Sequence, residues 1–300
     1  MLTSIIILNW NDGVENCFAA IRSALQQDYE NKEIIFVDNG STDNSLQAVK
    51  QEFPFLKFIE SKINLGCPGG RNIGVSSAQG ELIFFLETDA VWASSDVVSG
   101  VVSIFNKYPK IGALYIRVDG YLSGKTDPPL DKAISKTTQN GLYLSSSFRG
   151  GASAIRKKLF NTIGQFPADF FRQYEERYVS LLIYQNGFKV AYWPERVLLH
   201  KGSDYLGKSE SVVKYNCINE LKTILRIYPK NVYFFYFISK SLLWIIRLVR
   251  TKNIKLLYTI FISLDLRFKI NVKRDRILLN TLKYVNFIRS EKTSSPLRIE

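Results

Sequence analysis

Residues 81–90 read ELIFFLETDA, an apolar run that ends in two acidic residues one position apart. A short, nearly continuous run of apolar residues is typical of a strand buried on both faces, as in a parallel sheet covered by helices. Glu87 and Asp89 then come at the carboxyl end of the strand, where residues i and i+2 face the same side. The stretch predicts a core strand that presents two carboxylates together at one edge of a sheet.

The same pattern recurs along the first 120 residues, where short β-rich runs alternate with helical stretches. The predicted strands are residues 4–9, 33–38, 56–61, 81–87 and 112–119, and the predicted helices are residues 13–27, 42–53, 66–78 and 94–107. This alternation indicates an α/β fold with a mostly parallel, Rossmann-like sheet and helices on both faces. Ligands of such sheets bind beyond the carboxyl ends of the strands.

Polar residues gather at those predicted strand ends. The first strand runs into Asn9, Asn11 and Asp12, and the second runs into Asp38. Asp and Asn are also ordinary turn and helix-capping residues, so each position alone has a purely structural explanation. Acidic residues at the ends of neighbouring strands favour a binding edge. A carboxylate at a strand end can accept hydrogen bonds from the N–H of a nucleotide base or from a sugar hydroxyl.

Glu87 and Asp89 would repel each other unless a cation lies between them or one is protonated. A hard divalent ion, Mg²⁺ or Mn²⁺, is the natural partner, because it bridges carboxylate and phosphate oxygens. An acid-x-acid spacing is common by chance, so the structural alternative remains open. Residues 64–74, NLGCPGGRNIG, are more specific: the glycines allow close approach of a ligand, and Arg71 supplies charge for a phosphate.

The regular alternation of strand and helix patterns ends near residue 120. Residues 120–147 are polar and predict a long loop, and residues 146–160 return to ordered structure. Residues 174–200 predict a helix, a turn at Gly187 and a pair of strands, ending at His200, the only histidine. A lone histidine is usually a structural residue.

The net charge of +13 lies entirely in the last third of the chain, since residues 1–200 hold 20 basic and 20 acidic residues. Residues 231–249 are strongly apolar but include Lys240 and Arg247, and are short for a membrane-spanning helix. A second apolar stripe comprises Leu256, Leu257, Ile260, Phe261 and Leu264. Basic, amphipathic, aromatic-rich helices suit an anionic membrane interface. The alternative is a helical region packed on the core; nucleic acid is disfavoured because the basic residues are interleaved with aliphatics.

Three widely spaced cysteines offer neither a disulfide framework nor a CxxC pair, and the first residues resemble a strand rather than a secretory signal. Both features favour a reducing compartment, and together with the basic tail they predict a protein at the cytoplasmic face of a membrane. Oligomeric state is not indicated by the sequence.

Several segments together resemble family-2 glycosyltransferases of the GT-A type. They are SIIILNWND, IIFVDNGSTDNS, NLGCPGGRNIG, FLETDA, GQFPADFFRQYEER and VLLHKGS, in that order. The resemblance covers residues 1–205 as a catalytic domain. Residues 206–300 are similar to the helical, membrane-associated extension of bacterial members that build cell-surface polysaccharides, such as rhamnosyltransferase-like enzymes.

The resemblance implies a role for each matching residue. The implied nucleotide-sugar-binding residues are Leu8, Asn9, Asn11, Asp38, Gly66, Arg71, Asn72 and Thr88, and the implied metal ligands are Glu87, Asp89 and His200. The implied acceptor side comprises Arg149, Gly150, Gly151 and Trp193. Glu176 matches the catalytic base, with the adjacent Glu175 as the alternative. The implied cofactor is Mn²⁺ or Mg²⁺.

The resemblance implies an inverting transfer of a hexose or deoxyhexose from a UDP- or dTDP-sugar to a saccharide acceptor that is lipid-linked. Three positions depart from the family pattern: Glu87 and Glu176 stand where Asp is commoner, and Tyr178 stands where many members have Asp. A sugar nucleotidyltransferase is disfavoured because residues 9–16 contain no lysine or arginine. A non-catalytic binding protein with the same fold is the other alternative.

Overall fold

One mixed sheet forms the centre of the molecule. The computed structural model describes residues 1–128, 130, 141–202, 209–260 and 276–290. The strands are β1 (Thr3–Asn9), β2 (Lys32–Asp38), β3 (Lys57–Glu60), β4 (Leu82–Glu87), β5 (Ala90–Trp92), β6 (Ile111–Gly120), β7 (Tyr143–Leu144), β8 (Ala152–Arg156) and β9 (Lys189–His200). They lie in the order β3-β2-β1-β4-β8-β6-β9-β5, and β7 pairs with β9.

Helices lie between the strands and after the last one. They are α1 (Val14–Leu25), α2 (Ser45–Glu52), α3 (Gly66–Ser77), α4 (Val97–Lys107), α5 (Lys157–Thr162), α6 (Glu175–Gln185), α7 (Glu210–Ile227), α8 (Tyr233–Arg250) and α9 (Leu279–Ser290). Short 3₁₀ turns occupy Ala168–Phe170 and Ile254–Leu257. The predicted alternation of strands and helices over the first 120 residues is confirmed.

Most strands of the sheet run in one direction, as predicted, and β5, β7 and β8 run in the opposite direction. β1, β2, β3 and β4 run parallel to one another, and β6 runs parallel to β9. β8 lies between β4 and β6, antiparallel to both. The predicted pair of strands after Gly187 is wrong, because β9 is one long strand whose register against β6 shifts after Ile116. The predicted loop at 120–147 contains the short strand β7.

Alternate residues of the central strands pack into two apolar layers. On β1, Ile6 belongs to one buried cluster, and Ile5 and Ile7 belong to the other. On β4, Phe85 and Phe84 divide in the same way. Burial of both faces explains why these strands are apolar throughout and why their polar residues occur only at the ends.

The C-terminal helices share a core with the α/β part. Leu221 of α7, Leu248 of α8 and Val285 of α9 lie in the same buried cluster as Phe85. The side-chain amide of Asn219 also donates to the carbonyl oxygens of Phe170, Arg172 and Gln173. The described part of the 206–300 segment is therefore packed on the 1–205 segment, and a boundary near residue 205 stays a prediction.

The second apolar stripe of the tail is buried at two of its positions. Leu256 and Ile260 of the second predicted stripe are buried, while Phe261 and Leu264 lie outside the described residues. None of the described helices combines the length and the apolar composition that a membrane crossing requires.

Candidate active site

The carboxyl ends of β1, β2 and β4 form one edge of the sheet. Asn9 is paired in register with Asp38, and Leu8 is paired with Glu87. The strand ends that carry polar residues in the sequence are therefore neighbours in space.

Glu87, Asp89 and His200 come together at this edge. One ligand atom from each lies within 4.8 Å of the others, and the His200 Nε2 atom is 3.2 Å from Asp89 Oδ1 and 3.6 Å from Glu87 Oε2. The pairing of β5 with β9 sets Ala90 opposite His200, which brings the histidine to the acidic turn. Two carboxylates and an imidazole within this distance suit a divalent cation such as Mn²⁺.

The electrostatics of this triad also fit a cation. Burial alone would lower the pKa of His200, but its contacts with Asp89 and Glu87 outweigh burial and raise it to about 10. Burial raises the pKa of Glu87, while His200 and Arg71 together lower it to about 2. Each shift favours positive charge between the two carboxylates. A Cβ atom on Gly202 would lie 2.7 Å from His200 Cε1 and 3.0 Å from Asp89 Oδ2, so the chain leaves little room for another side chain here.

Arg71 lies beneath the triad, inside the protein. Its side chain is 3% exposed, with Nη2 2.5 Å from Glu87 Oε1 and Nη1 3.3 Å from Glu175 Oε1. The same Nη1 atom is 3.9 Å from Glu176 Oε1. The prediction that Arg71 supplies charge for a donor phosphate is not supported, because its guanidinium is buried among three carboxylates of its own chain.

Glu175 and Glu176, at the start of α6, differ in environment. The Glu175 side chain is 4% exposed, and burial together with the charge of Glu176 raises its pKa to about 8. The Glu176 side chain is 21% exposed and accepts a hydrogen bond of 3.1 Å from the Gly150 backbone N–H. Burial also raises the pKa of Glu176. Of the two, Glu176 is the one that solvent or a ligand reaches.

A hydrogen-bonded network joins the ends of β1 and β2. The Asn9 amide donates to Asp38 Oδ1 at 3.0 Å, to Ser41 Oγ at 3.1 Å and to Ser45 Oγ at 2.8 Å. The Asp38 carboxylate also accepts from the Ser41 backbone N–H. Asn11 is exposed, has a φ of 54° and accepts from the Thr42 backbone N–H at 2.7 Å.

The other predicted nucleotide-sugar residues have clear structural partners. Leu8 is buried, and its carbonyl oxygen accepts from the Thr88 backbone N–H and hydroxyl. Both polar groups of the Asn72 side chain are bonded to the Phe166 backbone. Gly66, at a φ of 73°, packs so closely on Phe171 that a Cβ would lie 2.1 Å from its carbonyl oxygen. Asn72 therefore has a structural contact with this backbone, and its contact with the donor stays a prediction.

The predicted acceptor-side residues do not all lie together. Gly150 and Gly151 lie against the carboxylates of Glu176 and Glu87, respectively. Arg149 is 3.2 Å from Asp127 Oδ2 and donates to the Pro128 carbonyl oxygen, so it contacts the first part of the 120–147 loop.

Trp193 is not part of this edge. Its side chain is 6% exposed in the second apolar cluster and packs on Gly100 of α4. Trp193 lies midway along β9, where it faces the helix layer, and a buried indole has no surface for a saccharide. We therefore do not retain Trp193 as an acceptor-side residue.

Asp12 also lies at this edge, and the sequence interpretation named it among the polar strand ends without giving it a role. It accepts a hydrogen bond from the Thr88 hydroxyl. Burial is the main cause that raises the pKa of Asp12 to about 6, and the charges of Asp89 and Glu87 raise it further. The hydrogen bond from Thr88 lowers this pKa, but by less than burial raises it. Its position after β1 was visible in the sequence, but its approach to the triad depends on how β1 and β4 pair.

Comparisons with known proteins identify the family of the chain. A family model described as Glycosyl transferase family 2 matches residues 4–164. The chain is 30% identical over 134 residues to the UDP-Glc:alpha-D-GlcNAc-diphosphoundecaprenol beta-1,3-glucosyltransferase WfaP of Escherichia coli, covering 43% of this chain and 52% of that protein. It is 26% identical over 184 residues to the poly-beta-1,6-N-acetyl-D-glucosamine synthase of Staphylococcus epidermidis, covering 58% and 44%. The matches span about half the length of these relatives.

Two solved structures share the GT-A fold with this chain. The mannosyltransferase PcManGT from Pyrobaculum calidifontis, in complex with GDP-Man and Mn²⁺, aligns with a TM-score of 0.59 and 17% identity, over 95% of this chain and 78% of that chain. GalNAc-T7 with UDP, GalNAc and Mn²⁺ aligns with a TM-score of 0.61 and 19% identity, over 79% and 49%. At these identities the likeness concerns the fold alone. The family match, which covers more than half of the residues, shows that the chain belongs to glycosyl transferase family 2.

Proposed function

We propose that this chain is a metal-dependent, inverting glycosyltransferase. It moves a hexose or deoxyhexose from a UDP- or dTDP-sugar to a saccharide acceptor. The observation that carries the proposal is the convergence of a candidate cation site and a partly exposed carboxylate. Glu87, Asp89 and His200 form the first, Glu176 is the second, and Arg71 lies between them.

Glu87, Asp89 and His200 would hold the ion, either Mn²⁺ or Mg²⁺. When bound, such an ion neutralises the charge that develops on a leaving diphosphate. The donor set fits this use, because two carboxylates and an imidazole are ligands that such an ion takes. The neighbours with GDP-Man and UDP, both crystallised with Mn²⁺, support a nucleotide-sugar donor.

Glu176 is the favoured base. An inverting transfer needs a carboxylate that takes the proton of the acceptor hydroxyl while the diphosphate leaves from the opposite face of the sugar. The base must therefore be accessible to the acceptor. Glu176 is 21% exposed and oriented by the Gly150 N–H, whereas Glu175 is almost fully buried.

A lipid-linked acceptor is supported by the relatives. WfaP is named for transfer to a diphosphoundecaprenol-linked sugar, and the Staphylococcus epidermidis relative is named as a polysaccharide synthase. We place this chain in cell-surface polysaccharide synthesis, acting peripherally at the cytoplasmic face of a membrane.

The outer face of α8 supports that membrane location. Eight large apolar side chains of this helix are exposed by 37–72%: Phe234, Phe235, Ile238, Leu242, Leu243, Ile245, Ile246 and Val249. An exposed apolar surface of this kind marks a contact with a partner or a membrane. The helix carries no acidic residue and ends with Arg247 and Arg250, which suits anionic lipid headgroups. We call this face of α8 the apolar face.

Vesicle binding tests the membrane location. The full chain should cosediment with vesicles that contain an anionic phospholipid and should bind neutral vesicles more weakly. Leu242→Glu with Ile246→Glu should abolish binding to both. Ile63→Glu, an exposed apolar residue away from α8, serves as the control. Equal binding by the α8 variant and the wild type would exclude the apolar face as the contact.

A donor screen tests the proposed activity. Purified protein with Mn²⁺ is offered UDP-, dTDP- and GDP-linked sugars, and release of nucleoside diphosphate is measured with and without saccharide acceptors. At least one UDP- or dTDP-sugar should be turned over. A protein that binds a nucleotide sugar but never turns it over would be a non-catalytic binding protein with the same fold.

A further inference from the structure

We infer that Arg71 is a positioning residue that aligns the base Glu176 with the metal ligand Glu87. This inference rests on the proposed function, because it assigns those two carboxylates their roles. It replaces the role predicted for Arg71 from the sequence, a contact with the phosphates of the donor.

The two ends of the Arg71 guanidinium contact different parts of the site. Nη2 is 2.5 Å from Glu87 Oε1, at the end of β4. Nη1 is 3.3 Å from Glu175 Oε1 and 3.9 Å from Glu176 Oε1, at the start of α6. A planar guanidinium fixes the relative direction of both contacts, which a single ammonium group does not.

Packing holds the guanidinium in this position. The side chain is 3% exposed, and its central carbon lies 6.0 Å from the ring centroid of Phe85 and 5.7 Å from that of Phe166. A guanidinium buried to this extent presents almost no surface to a donor phosphate in the cleft. Its charge acts on the donor only through the carboxylates that it orients.

Gly150 completes the arrangement on the side of the base. A Cβ on this residue would lie 2.4 Å from Arg71 Nη1 and 2.6 Å from Glu176 Oε1. The Gly150 N–H also donates to that same Glu176 oxygen. The base is therefore held from two directions, by the Gly150 N–H and by Arg71, and glycine is the residue that leaves room for both.

The proposal predicts a specific kinetic signature for Arg71→Lys. At saturating Mn²⁺ kcat should fall about a hundredfold, because a misplaced base loses this much, while the donor KM changes less than about twofold. A contact between Arg71 and the donor phosphates would give the reverse, a raised KM and weaker nucleotide binding. That reverse result would overturn the inference.

A double-mutant cycle with Glu176→Gln separates positioning from general damage. If Arg71 acts through Glu176, Arg71→Lys should change the residual kcat of Glu176→Gln by less than about threefold. An equal loss in both backgrounds would mean that Arg71 does not act through the base. Arg156→Lys is the matched control, since Arg156 donates to carbonyl oxygens of Ile111 and Phe105 far from the acidic cluster. It should lower thermal stability without the same loss of kcat.

Gly150→Ala keeps the inference testable should Arg71→Lys fail to fold. The added methyl group would separate Arg71 from Glu176 without removing a buried charge, so it should give the same signature, a lower kcat at constant donor KM. Unchanged kcat in this variant would contradict the inference. If the wild type binds no nucleotide sugar at all, the proposed function fails instead, which is a distinct result.

Discussion

Burial gives the two adjacent carboxylates of α6 different chemical properties. The Glu175 side chain is almost fully buried, and burial together with the charge of Glu176 raises its pKa to about 8. Glu176 faces the cleft, and burial raises its pKa as well. A base that works near neutral pH benefits from such a raised pKa, provided that it still ionises.

Substituting each carboxylate separately tests which is the base. Glu176→Gln should lower kcat by about 10²–10⁴-fold, the usual contribution of a general base, and leave nucleotide binding intact. Glu175→Gln removes no base and should lower kcat less. Steady-state kinetics of both variants, with calorimetric nucleotide binding as the control for folding, decides the matter. A larger loss for Glu175→Gln would reverse the assignment.

The pH dependence of kcat follows from the same environment. A base is active when deprotonated, so activity should rise with pH through the pKa of Glu176. Because burial raises that pKa, the acid limb should lie above 4.5, the ordinary value for glutamate. A pH profile of the wild type measures this limb, and a limb centred below 4.5 would argue against Glu176 as the base.

At the scale of single elements, α8 has two distinct faces. Phe237, Trp244 and Leu248 are buried against the rest of the molecule, while the apolar face is exposed. On the buried side, the Trp244 indole N–H donates to Glu220 Oε2 at 2.9 Å, and Lys240 Nζ is 2.9 Å from Glu220 Oε1. Lys240 thus pairs with Glu220 of α7, whereas the sequence interpretation grouped it with Arg247.

Trp244→Phe should destabilise the attachment of α8. It removes the indole donor and leaves one oxygen of the buried Glu220 carboxylate unpaired, which costs about 1–3 kcal/mol. The free energy of unfolding in urea, compared with that of the exposed-site control Leu243→Ala, measures the loss. A destabilisation of Trp244→Phe no greater than that of the control would show that the hydrogen bond adds nothing to stability.

For the molecule as a whole, an ion-pair cluster joins α7 to the α/β part. Asp169 lies 3.0 Å from Lys222 Nζ and 2.7 Å from Arg226 Nη2. Burial raises the pKa of Asp169, but Arg226 and Lys222 together lower it to about 2. The depressed pKa means that this cluster stabilises the fold above the unfolded-state pKa, near 4, and that the stabilisation is lost as the pH falls towards 2.

Asp169→Asn isolates this contribution. The Asp169 side chain is 49% exposed, so solvent screening reduces the effect to about 1 kcal/mol at pH 6. The difference in unfolding free energy between wild type and variant should shrink as the pH falls from 4 to 2. A difference that stays constant over this range would show that the charge of Asp169 is not its source.

The sequence predicts most of the parallel half of the sheet, because burial on both faces makes the central residues of β1, β2 and β4 apolar. The sequence also predicts that Glu87 and Asp89 lie together, because their i, i+2 spacing depends only on strand geometry. The sequence does not predict the partners of Arg71, because Glu175 lies 104 positions away and comes close only when α6 packs against the sheet. The burial of Trp193 has the same origin, because alternation along β9 decides its face.

The central claim is that Glu87, Asp89 and His200 hold a divalent cation that is needed to bind a nucleotide sugar. Calorimetric titration of UDP, dTDP and GDP into wild type and Asp89→Ala, each with Mn²⁺ and with EDTA, tests it directly. We expect the best-bound nucleotide to need Mn²⁺ in the wild type and to bind at least about tenfold more weakly to Asp89→Ala. Equal affinity with and without Mn²⁺, unchanged by the substitution, would contradict the claim.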